Sequence, residues 1–593
     1  VPRNQSDVNN SKKIGGSEDI GMSGELKTSA AMSGSKIVWT MLLEEGIDHV
    51  FGVCGISNVP LLHALKQIPE IKFIHAAHES VAMGMADGYA RATGKVAVVV
   101  VHDAAGLSNA MGNLQNAFAA GSRILVIAGQ TDSHLEWSER FMDIDCRPMV
   151  SQVTKGAWNV TAAKDAALAV NRALKATCTP STGPVFIAIS TKAQSELTTY
   201  HPLPATGRRL ALDINLSQES LESAAQLLAQ AERPIIMAGR IVADTNSIAE
   251  LVKLAEVIGA PVYIGNEEKL IFPTNHPLYR GTVFQHSHAL QHIAASADVL
   301  LMLGNDLFRY SDYSEQPIVA GSTKVIQIDL DAQLLGKFCA TELSLLAHPK
   351  LALDALADCV GGLISADMRN ARIDRWSTES RQRKTFVDNC LNENWQAIPI
   401  RWGAAFKEIA AAMPEDAIVV DEIASFYGQL SKVMEFKYPG SYFAHCDALG
   451  WGLPAALGVA MGNPHKPVIA MLGDGATLFC IQALWTAAKC QIPVVIVVFN
   501  NSGYGCMRNL FKGFSHTVAP VMDDSDCETY DISGLNYSEL AANFGIDSQR
   551  VSDPTEIKAI IEARIARKKP AVVELMICPN GSGLNELVAE FFK

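Results

Sequence analysis

The chain has 593 residues, 48% of them hydrophobic and 19% charged, with a formal net charge of -13. That length calls for several domains, and with no apolar run of about eighteen residues the composition is globular and predicts no membrane partner. The acidic balance argues against a nucleic-acid partner, whose phosphates need a basic face. The 12 cysteines form no CxxC pair, so free thiols in a reducing, cytoplasmic setting are expected in place of a zinc ribbon or disulfide framework.

Residues 1–33 are polar, rich in Ser, Gly, Lys and Asn, and read as a disordered leader. From 34 to 200 the pattern alternates: SKIVWTMLLEEG, HVFGVCG, a helix to Gln67, KFIHAAHE, SVAMGMADGYARATG, VAVVVVHDAAG, a helix to Ala120, and RILVIAGQ. Short apolar strands between helical stretches predict a doubly wound α/β domain. A second such block spans 217–361, with RPIIMAG, APVYIG, DVLLMLG and KVIQIDL as its short strands, and MRNARIDRWSTESRQRKTF predicts a charged helical connector within 362–397. The third block covers 398–578. There Val468–Leu472 and Val494–Phe499 are near-continuous apolar runs, as in parallel strands covered on both faces, and a helical stretch supplies the crossover. In the tail 579–593, Leu584, Leu587, Val588 and Phe591 recur at helical spacing, an apolar face that either packs on the body or closes over a cleft. The segment SHTVAPVMDDSDCETYD is a second candidate gate. The expected fold class is α/β with three doubly wound parallel-sheet domains.

The chemistry concentrates where the two strands of the third block end. GDG at 473–475 is followed, after 24 residues, by the pair Asn500 and Asn501. Gly473 and Gly475 let the backbone turn tightly and approach a ligand, while Asp474 and Asn501 present hard oxygens of the kind Mg2+ takes when it also binds phosphate. GDG alone is equally an ordinary acidic turn; with the second strand and its asparagines it reads as a site for a diphosphate and its metal. In the first block, His102 closes a buried strand and opens a glycine-containing turn. Imidazole titrates in the neutral range, so a histidine there suits proton transfer or carboxylate orientation, with a satisfied turn histidine as the plainer reading. Glu79 sits where the strand KFIHAAH gives way to a helix; as plain structure it is a carboxylate favoured by a helix start.

Together with FGVCGISNVP (51–60), HESVAMGMADGYAR (78–91), HDAAGLSNAMGNLQNA (102–117), LGWGLPAALGVAMG (449–462) and SGYG (502–505), these features resemble a known family. From residue 34 to about 578 the chain is similar to the thiamine diphosphate (ThDP)-dependent 2-oxo acid decarboxylase and acetohydroxyacid synthase superfamily, and within it to the benzoylformate decarboxylases. The resemblance implies pyrimidine-binding, central and diphosphate-binding domains of one architecture. It also implies a homodimer or homotetramer with each cofactor between the first domain of one subunit and the third of another. ThDP and Mg2+ are the implied cofactors, with Mg2+ on Asp474, Asn501 and the backbone oxygen of Gly503.

The same resemblance places Glu79 against N1' of the aminopyrimidine, a role served by an apolar setting such as the adjoining AMGMA. Leu449 matches the bulky residue that bends the cofactor. Asp447 stands where the family has a glycine whose carbonyl accepts from the 4'-amino group. Ser425, Ala476 and Tyr504 match positions lining the diphosphate or its approach. Departures are present too: Ala424 replaces a threonine near the cofactor, Cys54 a proline at the pocket wall, Ile56 the substrate-binding serine, and Ser311 the second active-site histidine of benzoylformate decarboxylases. The implied substrate is a small 2-oxo acid or 2-hydroxyacyl compound, in a less polar pocket. The implied activity is non-oxidative 2-oxo acid decarboxylation with carboligation. The alternatives are an aldehyde lyase or carboligase, a 2-hydroxyacyl-CoA lyase and an acetolactate-synthase-like enzyme. No dinucleotide glycine fingerprint occurs between 217 and 361, so FAD is not expected.

Overall fold

A computed structural model describes residues 31–135, 138, 144–201, 210–265, 268–283, 287–304, 314–426, 430–507 and 530–579. Ser311, the apolar face of the tail and most of the candidate gate after SGYG lie outside them. Residues 31–33, expected in the polar leader, form the strand Ala31–Ser33, which pairs antiparallel with Leu197–Thr199. Among the described residues no helix is long and apolar enough to cross a membrane, and the described cysteines are free.

Three six-stranded parallel sheets make up the body. The first runs Lys72–His75, His49–Gly52, Ala97–His102, Ile124–Gln130, Val185–Ser190, Ala157–Val160. The third runs Tyr442–Ala444, Ile418–Glu422, Val468–Gly473, Val494–Asn500, Ala571–Met576, Asp547–Val551. Numbered in chain order within each sheet, both are 2-1-3-4-6-5. The central sheet is different: Tyr279–Thr282, Val262–Ile264, Pro234–Ala238, Val299–Leu303, Lys324–Asp329 and Leu343–Leu346 give 3-2-1-4-5-6. The implied single architecture therefore holds for the first and third sheets, while the central one takes the strand order common among dinucleotide folds. The charged connector is the helix Ala366–Asn392.

Period-two alternation explains how the outer sheets join. Val99 and Val101 enter one apolar core and Val98 and Val100 another, each side chain fully buried. In the third sheet Ile496 and Val498 enter the same core as Val99, and Val495, Val497 and Phe499 a separate one. The first and third sheets thus share a core, with the helices Glu79–Thr93 and Gly452–Gly462 packed between them. Small residues allow that crossing. A Cβ added at Gly458 would lie 1.9 Å from the Met85 carbonyl oxygen, and one at Gly88 would lie 2.2 Å from that of Ala455.

Polar groups seal the same contact. Asp87 and Arg91 pair at 2.7 Å with both side chains buried. Trp451 Nε1 donates to Asp87 at 2.6 Å, and Arg91 donates to the Ala444 carbonyl at 2.8 Å. Because a backbone oxygen cannot retreat, Gly458→Ala should force the helices apart and destabilise the protein by about 1–3 kcal/mol, as overpacking does. The check is a lower melting temperature than that of the unsubstituted chain; an unchanged one would show that the crossing is not close-packed.

Candidate active site

In doubly wound sheets, ligands gather beyond the carboxyl ends of strands where the strand order reverses. In the third sheet that crevice lies between Ile418–Glu422 and Val468–Gly473. Asp474, 4% exposed, follows the second of these strands. Its Oδ1 accepts from the Gly475 N–H at 2.8 Å, and its Oδ2 from the N–H groups of Asn501 and Gly503 at 3.1 and 3.2 Å. Ser502, at φ 59°, holds the left-handed turn that aims both of those donors at one oxygen. The two asparagines divide the work. Asn500 donates to Glu574 at 2.7 Å and accepts from the Ser502 N–H, while Asn501 Oδ1 accepts from Gly503.

Around this turn the expected cofactor residues assemble. The Tyr504 ring lies over Gly475, where a Cβ would come within 2.5 Å of it. Gly505 leaves room for Asn501 Nδ2 and the Ser425 hydroxyl, 2.7 and 3.3 Å from where its Cβ would stand. Ala476 is buried, Ala424 and Gly473 half-buried. Tyr537, which the sequence did not single out, donates to the Asp474 carbonyl at 2.9 Å.

The donors suit a hard cation. Burial pushes the Asp474 carboxyl up to about 6 against the pull of its N–H donors, and no described side chain forms an ion pair with it. No cluster of three His, Cys, Asp or Glu side chains forms among the described residues. A cation here would bind one carboxylate, an amide oxygen and a backbone carbonyl, taking its remaining oxygens from a phosphate ligand, as Mg2+ commonly does.

A second set of residues lies at the edge of the first sheet. Glu79, 8% exposed, begins its helix behind His78, whose ring accepts from the Ser80 N–H. Asn109 Nδ2 donates to Glu79 Oε2 at 3.0 Å, and Gly106 leaves room for the other oxygen, 2.9 Å from where a Cβ would stand. His102 ends its strand half-buried and meets Ser57 at 2.7 Å. Cys54 is exposed and Ile56 is 79% exposed, so in the single chain they stand at the rim.

Leu449 and Asp447 sit on a turn gripped from both domains. Asn116 accepts from the N–H groups of Asp447 and Ala448 at 2.9 Å each and donates to the Ala448 carbonyl at 2.8 Å. Asn113 bridges Ser80 and the Gly450 carbonyl. From the other side, buried Glu422 accepts from the N–H groups of Gly450, Trp451 and Gly452 at 2.7–3.0 Å. Leu449 is only half-buried, and the Asp447 side chain is exposed. The sequence reading missed Glu422, Asn113 and Asn116. Asn109, Asn113 and Asn116 do fall on one helix face at i, i+4 and i+7, a polar stripe that was a usable signal.

Three family models match in chain order: the N-terminal thiamine pyrophosphate-binding domain at residues 32–146, the central domain at 221–356 and the C-terminal binding domain at 422–575. The chain belongs to the thiamine diphosphate enzyme family. Benzoylformate decarboxylase of Pseudomonas aeruginosa is 27% identical over 547 residues, covering 91% of this chain and 97% of that one. A probable acetolactate synthase large subunit of Methanocaldococcus jannaschii is 26% identical, covering 92% of each. The solved structure of a 4-hydroxybenzoylformate decarboxylase from Rhodococcus jostii RHA1 superposes with a TM-score of 0.80 at 25% identity, covering 93% of this chain and all of that one. The protein is a ThDP-dependent enzyme of the decarboxylase, acetolactate synthase and carboligase group.

One consequence concerns the grip on the Leu449 turn. Burial pushes the Glu422 carboxyl from its ordinary 4.5 up to about 8, against three N–H donors that favour its charge and with Asp421 adding to the rise. The folded chain then holds more protons than the unfolded one between about pH 4.5 and 8, so this group's contribution to stability falls as pH rises through that window. Glu422→Gln should flatten the loss. Melting temperatures at the two ends of the window test this, and equal slopes in both proteins would mean that Glu422 is charged throughout.

Proposed function

We propose that this ThDP enzyme uses Mg2+ and cleaves the carbon–carbon bond beside a ketone, releasing CO2 from a 2-oxo acid and also joining the acyl fragment to a second carbonyl. The observation that carries the proposal is the buried Asp474 carboxylate, which accepts from the N–H groups of Asn501 and Gly503, in a chain that also buries Glu79 against Asn109. Asp474, Asn501 Oδ1 and the Gly503 carbonyl would hold the metal. Gly473, Gly475, Ala476, Ala424, Ser425 and Tyr504 would border the diphosphate, with Leu449 and the Asp447 carbonyl bordering the thiazolium and aminopyrimidine. When bound, ThDP supplies a nucleophilic carbon and a place for the electrons left as CO2 departs. Glu79 would exchange a proton at N1', and His102 would carry a proton to or from the reacting carbon or its oxygen.

Ile56, where benzoylformate decarboxylases carry a serine, favours a carboligase or 2-hydroxyacyl-CoA lyase as the second reading. A panel of 2-oxo acids with ThDP and Mg2+ separates the two. Free aldehyde and CO2 from one acid, with or without a 2-hydroxy ketone, support the proposal, whereas acetolactate from pyruvate with no free aldehyde, or activity only on an added 2-hydroxyacyl-CoA, would sink it. We expect the protein to be colourless, without flavin. We also expect a dimer or tetramer, since Ile56, Val59 and Phe479 are 79, 57 and 55% exposed, and a second copy would cover them.

Two substitutions divide binding from activation. Asp474→Ala removes the charged donor, so the purified variant should retain little ThDP or Mg2+; wild-type content would refute the metal assignment. Glu79→Gln keeps the size and a hydrogen bond but cannot exchange the proton. It should bind cofactor while turnover falls about 100- to 10,000-fold, the usual worth of an acid–base group. Unchanged exchange of the cofactor's C2 proton in that variant would rule the role out.

A further inference from the structure

We infer that Ser57 determines which nitrogen of His102 carries the proton and so positions Nε2 as the proton-accepting atom. The inference rests on the reading of His102 as a proton carrier. Ser57 Oγ lies 2.7 Å from His102 Nδ1 and 2.9 Å from the Gly129 carbonyl oxygen. A hydroxyl has one proton, and a carbonyl can only accept, so that proton goes to Gly129. What Ser57 turns toward the ring is a lone pair. Nδ1 must therefore be the N–H of the neutral ring, and the lone pair of His102 falls to Nε2. Histidine in water favours the opposite tautomer, so this selection needs a built environment.

The structure provides one. Ser57 is 4% exposed, and its own carbonyl accepts from Gln194 Nε2 at 2.7 Å. Gln194, fully buried, also donates to the Ile189 carbonyl and accepts from the Leu61 N–H, so Ser57 hangs from the strand Val185–Ser190 and the helix Val59–Leu65 together. Glycines admit the pair. A Cβ at Gly129 would stand 2.7 Å from Ser57 Oγ, and one at Gly55 would stand 2.2 Å from His102 Cγ. On the other side of His102, Asp103 holds φ at 52°, an unusual conformation for a non-glycine residue that fixes where the strand ends.

Among the described residues Nε2 has no hydrogen-bond partner, and it is not one of the buried unpaired atoms, so it keeps some accessible surface. A proton arriving there leaves the Nδ1–H bond to Ser57 intact. The ring thus cycles between neutral and cationic forms without rearranging its support, the economy expected of a preorganised group.

The test uses the full chain loaded with ThDP and Mg2+ and labelled with 15N-histidine. The His102 signals are those lost in His102→Ala. In the unsubstituted enzyme Nδ1 should be the protonated nitrogen; in Ser57→Ala the proton should move to Nε2 and turnover fall about tenfold, the scale of one buried hydrogen bond, with cofactor affinity unchanged. Ser57→Cys, which keeps the shape but accepts weakly, should behave alike and serves if the alanine variant folds poorly. In the His102→Ala background Ser57→Ala should have no further effect on turnover. Protonated Nε2 in the unsubstituted enzyme, or an unchanged tautomer in both serine variants, overturns the inference. Near-normal turnover of His102→Ala would instead overturn the catalytic reading of His102, leaving the ring assignment to stand or fall on its own signals.

Discussion

Where the Glu79–Thr93 helix crosses Gly452–Gly462, no side chain separates the two backbones at Gly88 and Gly458, and both Glu79 and the Leu449 turn are placed from that contact. Glu79 is the first residue of one helix, and the Leu449 turn leads into the other. A methyl group in the gap would shift both at once. The crossing is closed by an ion pair that no water can reach, and such a pair is stabilising only when every oxygen and N–H has a partner. Asp87 receives Arg91, Ser122 and Trp451, and Arg91 reaches on to the Ala444 carbonyl and stacks its guanidinium over the Trp451 ring at 4.4 Å. These partners come from both outer domains, so the polar network also specifies how one domain sits on the other.

From that frame the Leu449 turn receives its shape through backbone groups alone. Asn116, Asn113 and Glu422 hold the N–H and carbonyl groups of residues 447–452 and touch none of their side chains by hydrogen bond. The turn therefore does not depend on which side chain stands at residue 447. The grip on the Asp447 N–H does not depend on its side chain, which belongs to an exposed residue.

Those gripping residues mark the limit of what could be read from the chain. The runs VAVVVV and VVIVVFN announce buried strands because both faces are apolar, and GDG with NN announces its ligand chemistry because glycine, carboxylate and amide recur at a fixed spacing. Ile418–Glu422 was not recognised as a strand, although it pairs directly beside the GDG strand, because IVVDE ends in two carboxylates that look solvent-facing. Both are buried, Asp421 against Tyr442 and Glu422 against the turn. Asp547–Val551 is likewise a polar edge strand without an alternating pattern. Ser57 carries no local signal in the chain. Its partners, His102 and Gly129, lie 45 and 72 residues away, a pairing that only the sheet order brings together.

The shared 2-1-3-4-6-5 order of the outer sheets places the residues after their third strands equivalently. In each, the third strand ends beside the first, where the order reverses and a crevice opens. His102 occupies that position in one sheet, and Gly473 with Asp474 occupies it in the other. The crevices are furnished oppositely. Beside Asp474, backbone N–H groups converge on the carboxylate and favour its charged form. Beside His102, a hydroxyl engages one imidazole nitrogen, and two glycines leave room for the pair. One topology therefore provides two equivalent crevices, and the residues at the end of the third strand make them chemically different, a buried carboxylate in one and a histidine in the other.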